Sequence, residues 1–237
     1  MQACVDEAER LLAAGQYAAA AVHLQRAIGM GHLPSRALMA WLLVWGREGI
    51  AKDKGRALDL VKEGVRMGCN HCQGVLAFCI HHDDHFDKVG DVYVMRDDVP
   101  EKEQLALELA LQSSQRDSSY GHYMLGELYS CLDGNITDRS LHLWKQAADQ
   151  GLDAAVMEMG QSLYMNGIGE LNHRPEALRL FQLAADQGHP GSLFLVGWMH
   201  ELGHGVPADT VEAIVWYKRA AAAGHNRAAM CVLNLDK

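Results

Sequence analysis

The chain has 237 residues, 49% hydrophobic and 22% charged, which is enough apolar side chain for a sizeable core and excludes a disordered polymer. A formal charge of −9 leaves no basic footprint for nucleic acid and admits a basic partner. Five prolines against 23 glycines make helix the expected element, with glycine marking regularly spaced helix ends.

The chain opens on MQACVDEAER, acidic where a secretory or transit peptide is basic. Its first expected helix pair, residues 1–31, closes on HLQRAIGMG. The second, 32–68, begins with the apolar run ALMAWLLVW (37–45), too short for the roughly 20 residues of a membrane span. It continues through EGI and Asp53, a helix N-cap, to LVKEGVRMG. The third unit, 69–114, starts with Cys69-x-x-Cys72 and carries extra residues in HHDDHFDKVGDVYVMRDD (81–98). The fourth, 115–151, contains YMLGELY and ends in LWKQAADQG; the fifth, 152–188, contains NGIGE and ends in LFQLAADQG. The sixth, 189–224, runs FLVGWMH, then GHGV, then Asp209 with Glu212 as a capping box, and ends in WYKRAAAAG. A short terminal helix, 225–235, follows.

The terminal glycines fall at 31, 68, 151, 188 and 224, with a Ser-rich equivalent near Ser114. The spacings are 37, 46, 37, 37 and 36, a period that marks a stack of helix pairs. Ala20, Ala57, Ala177 and Ala213 lie seven residues before a second small residue, so each second helix presents small side chains two turns apart. The expectation is an all-α chain organised as one repeat domain over 1–237.

The shared pattern LGxxY, GxGV, Asp, WYxxAAxxG resembles the Sel-one-like repeat (SLR) family, relatives of tetratricopeptide repeats. The match is clearest in VGWMHELGHGVPADTVEAIVWYKRAAAAGH (196–225) and extends in degenerate form toward the N-terminus. The resemblance implies a right-handed α/α superhelix and a non-catalytic scaffold or adaptor that binds a partner protein or peptide along its groove. Some cysteine-rich members of the family are linked with β-lactam binding or hydrolysis, and carry a regular disulfide-forming cysteine pair that this chain lacks. An enzyme of that type is the alternative class, and a metal-binding module in the His/Asp-rich insertion the third.

HELGH (200–204) spells a short zinc-protease signature, which needs both histidines on one helical face. Gly203 ends that helix, and the register aligns His204 with Ile168 inside a Gly-x-Gly loop, so the motif reads as a coincidence of the repeat. Cys72 and His81 lie nine residues apart, about 13 Å along a continuous helix, too far to share one ion. His81, His85 and Asp83 remain a separate candidate metal cluster on ligand types alone. The six cysteines are too widely spread for a disulfide framework, so a cytoplasmic location with reduced thiols is expected, without cofactor or membrane insertion.

The candidate partner-binding residues follow from the register. The residue after each small position of the first helices gives Trp41, Phe78, Gln161 and Trp198, with Glu127 after Gly126. Neighbouring rows add Tyr123 and Phe194, then His81, Tyr164 and Glu201. Aromatic side chains in one such row, expected to point outward, are favoured anchors for a partner.

Overall fold

A computed structural model describes residues 1–82, 99–133, 136–166 and 174–235. Thirteen helices are described and no strand, in agreement with the all-α reading. They run α1 (Gln2–Ala13), α2 (Tyr17–Gly29), α3 (Leu33–Trp45), α4 (Lys54–Arg66), α5 (Asn70–His82), α6 (Val99–Gln115) and α7 (Ser119–Leu132). Then come α8 (Asp138–Asp149), α9 (Asp153–Asn166), α10 (Arg174–Asp186), α11 (Pro190–Leu202), α12 (Thr210–Ala222) and α13 (Asn226–Leu235). The insertion expected at 81–98 lies outside the described residues from position 83 onward.

The turn closing each pair is the same local device. Gly31, Gly68, Gly151, Gly188 and Gly224 take left-handed φ values of 86°, 82°, 86°, 74° and 89°. That conformation costs glycine little, and lets two successive amides bond back to the last turn of the helix. Gly188 N–H donates to Ala185 O and His189 N–H to Ala184 O, and the other turns repeat the pattern. In the third unit the turn expected near Ser114 sits at Asp117, whose φ is 59°. It falls 49 residues after Gly68 and 34 before Gly151. The Asp117 carboxylate there accepts bonds at 3.0 Å from both His122 and Gln150. Aspartate is one of the few residues that visits this region, because its short polar side chain can bond locally.

Within the pairs, small residues set the approach. A Cβ on Gly126, Gly160 or Gly197 would lie 2.8 Å from a ring atom of Trp144, Phe181 or Tyr217 respectively. Each of these first helices therefore accepts an aromatic ring of its second helix at a glycine. Ala20, Ala57, Ala177 and Ala213 are fully buried, as are Ala27, Ala184 and Ala220 seven residues on. Asp53 caps α4 by accepting from Arg56 N–H at 2.9 Å, and Asp209 caps α12 by accepting from Glu212 N–H at 3.0 Å. The Glu212 carboxylate instead accepts from Trp216 Nε1, which replaces the reciprocal half of the expected capping box.

Contacts group the chain into two compact units. The first comprises Met1–Asp6, Ala21–Val44 and Asp53–Leu152, where α4 packs on α5, α5 on α6 and α7, and α7 on α8. The second comprises Glu7–Ala20, Trp45–Lys52 and Asp153–Lys237, where α9 packs on α10, α10 on α11, and α12 on α11 and α13. Two contacts of the second unit join residues far apart in sequence. Arg47 forms an ion pair with Asp153, and the Tyr17 hydroxyl donates to the carbonyl of Gln187. The Arg47 and Asp153 side chains are 1% and 9% exposed, so the pair is made in the core.

Candidate partner-binding surface

The row of candidate anchors divides by unit. In the first unit Trp41, Phe78 and Tyr123 are buried, at 2%, 4% and 1% exposure. Trp41 packs against Phe78 at 5.0 Å between ring centroids, against Tyr120 at 5.2 Å and against Tyr123 at 5.7 Å. The expectation that these three point outward is thus corrected. Trp41, Phe78 and Tyr123 meet one another across successive first helices, and apolar burial there outweighs exposure. Glu127 and His81 are only half-buried. Glu127 Oε1 lies 2.9 Å from His82 Nε2. His81 borders a cavity of about 320 Å³ whose other walls include Glu103, Gln104, Leu107, Leu128 and Leu132.

In the second unit the predicted residues stay partly accessible. Gln161, Tyr164, Phe194, Trp198 and Glu201 are all half-buried. Tyr164 on α9 and Trp198 on α11 meet at 5.5 Å, and His204 closes a three-ring cluster at 5.9 Å and 5.6 Å from them. A 2.8 Å hydrogen bond between the Tyr164 hydroxyl and His204 Nδ1 holds the cluster together. Partial burial, then the Arg174 charge, pushes the His204 imidazole below its ordinary pKa. Sequence reasoning placed Tyr164 and Trp198 but missed His204, which it had met only inside HELGH.

Phe194 and Glu201 have inward partners as well. Phe194 stacks on His225 at 4.4 Å and 18°. Glu201 accepts from the Tyr217 hydroxyl at 2.6 Å, and burial followed by that bond pushes the Tyr217 phenol well above its usual range. Phe194 thus ties α11 to the turn before α13 and Glu201 ties it to α12, leaving Gln161, Tyr164, Trp198 and His204 as the more available face.

The HELGH histidines are separated by the helix end. His200 belongs to α11; Gly203, at φ 71°, caps that helix, and His204 follows in the turn. Of the candidate metal cluster, His85 and Asp83 lie outside the described residues. Cys69 immediately precedes the uninterrupted helix α5 and Cys72 lies in its first turn, so the helix separates them from His81 as the spacing required. Both are buried. The Cys72 side chain hydrogen-bonds to Cys69 and pushes the Cys69 thiol down to about 6, while that bond and burial push Cys72 up. All six cysteines are free thiols. Among the described residues no helix is long and apolar enough to cross a membrane.

Helix pairs repeated at this period, with a glycine in the first helix set against an aromatic of the second, define an all-α repeat protein. The Sel1 repeat model matches three stretches of the chain, residues 119–152, 153–189 and 190–225. The chain is 32% identical over 90 residues to the ERAD-associated E3 ubiquitin-protein ligase component HRD3B of Arabidopsis thaliana. That match takes in 38% of this chain and only 15% of the relative's length. Its fold is similar to that of c5321, a protective antigen of uropathogenic Escherichia coli strains with an SLR fold. The TM-score is 0.55 at 21% identity, over 97% of this chain and 47% of that one. A Sel1 repeat protein from Oxalobacter formigenes gives the same TM-score and identity over 94% of this chain and 86% of its own.

Proposed function

We propose that the chain is a protein-binding scaffold whose second unit captures a partner protein or peptide on Gln161, Tyr164, Trp198 and His204. The observation that carries this reading is the three-ring cluster itself. It is built from two first helices and a turn, prearranged by a side-chain hydrogen bond, and half open to solvent. Aromatic side chains so fixed lose little conformational freedom on binding, which is why interfaces favour them. The formal charge of −9 favours a partner with a basic segment through complementary steering. The three Sel1 repeats, and the similarity to a relative that is a component of a larger ligase assembly, support an adaptor role.

The test is affinity purification of the intact chain beside a Gln161→Ala/Trp198→Ala variant, read by mass spectrometry and followed by peptide mapping. The expected result is a partner recovered with the intact chain and lost with the variant, at unchanged helicity and melting temperature. Undiminished capture by a folded variant would move the site off this face.

A further inference from the structure

At the end of α5, two histidines converge with a glutamate of α7. We infer that His81, His82 and Glu127 form a zinc site that ties the C-terminus of α5 to α7. One ligand atom from each, two imidazole nitrogens and a carboxylate oxygen, lies within 4.8 Å of the other two. A tetrahedral zinc ion holds such atoms about 3.3 Å apart, so small side-chain rotations bring all three to bonding distance. His82 Nε2 and Glu127 Oε1 are already 2.9 Å apart.

Glu127 supplies the observation that points to an ion. Its carboxylate is 16% exposed, and its second oxygen, Oε2, is buried with no hydrogen-bond partner among the described residues. A carboxylate oxygen removed from water and left unpaired is costly, and a cation is one of the few groups that removes the cost. The histidines suit the same ion. His81 is half-buried and offers an imidazole nitrogen to the same ion. The Phe78 ring, 4.2 Å from the His82 ring, steadies the second imidazole.

His81 and His82 occupy the last turn of α5, where the backbone carbonyls point outward and the helix dipole favours positive charge. Two nitrogens and one oxygen select a borderline ion such as zinc over magnesium or calcium, which prefer all-oxygen shells. Three protein ligands leave the remaining coordination position to water. His81 is also a wall of the 320 Å³ cavity, so the site adjoins that cavity.

The experiment strips the full chain with a chelator and titrates it with zinc in competition with a chromogenic chelator. Cobalt absorption reports tetrahedral geometry, and circular dichroism reports folding. The expected result is one equivalent bound, weakened about 100-fold by Glu127→Gln or by His82→Ala. His142→Ala, an exposed histidine elsewhere, is expected to bind as the intact chain does. Zinc should raise the melting temperature of the intact chain and leave that of Glu127→Gln unchanged. Absence of stoichiometric binding, or equal binding by the folded Glu127→Gln variant, would overturn the site and mark any zinc uptake as adventitious.

Discussion

His189 joins local structure to stability. It is the N-cap of α11, where Nδ1 accepts from Ser192 N–H at 3.2 Å. It is also fully enclosed beside Trp45, 5.1 Å between ring centroids. Burial pushes its imidazole down to about 4, against an opposing pull from Asp153. Between that value and the ordinary 6.5 the unfolded chain binds the proton that the folded chain refuses. Stability is therefore complete above about pH 6.5 and declines as the pH falls toward 4, by about 3 kcal/mol from this group. Urea denaturation at pH 7 and at pH 4.5 checks the slope. His189→Asn keeps a capping oxygen and is expected to flatten that component of the pH dependence, whatever its effect on stability at pH 7.

At the scale of the element, the glycines of the first helices show how position overrides propensity. Glycine in a helix interior is about 1 kcal/mol less favourable than alanine, so propensity alone favours replacing it. At Gly160 an added methyl would overlap the ring of Phe181, and overpacking of this kind costs about 1–3 kcal/mol. Gly160→Ala is expected to lower stability by about that range, while Gly29→Ala, with open space around it at the end of α2, is expected to raise it by about 0.5–1 kcal/mol. Denaturant midpoints of the two variants decide the matter, since equal and positive shifts would mean that the pair does not close on that glycine. The same packing makes the repeat legible in sequence, because Gly126, Gly160 and Gly197, which each accept a ring of the second helix, recur 34 and 37 residues apart.

For the molecule as a whole, the Arg47–Asp153 pair departs from a stack in which each repeat meets only its neighbours. Removing one member of a buried ion pair strands the other, at about 3–5 kcal/mol. Arg47→Met is therefore expected to destabilise the second unit, and amide hydrogen exchange is expected to quicken in α9 and α11. Asp153 lies 106 residues from the substituted side chain. A chain coupled only between adjacent repeats would confine the change to α3 and α4. Tyr17→Phe is expected to act in the same direction and more weakly, since it removes one neutral hydrogen bond to Gln187 O.

The sequence by itself determined the helix pairs, their period, the turn glycines, the alanine ladder and the caps at Asp53 and Asp209. All of these are consequences of local chain geometry and of contacts between neighbouring elements, and periodic residues record such contacts directly. It also separated His204 from His200, because Gly203 ends a helix wherever the chain carries it. Only the tertiary structure decided that Trp41, Phe78 and Tyr123 face inward while Tyr164 and Trp198 remain half open. The same row position is buried in the first unit and half-buried in the second, and no single repeat contains that information. The turn at Asp117, the Arg47–Asp153 pair and the meeting of His81 and His82 with Glu127 were likewise hidden. Each depends on polar side chains brought together across the fold, where hydrogen bonding and burial act without leaving a period in the sequence.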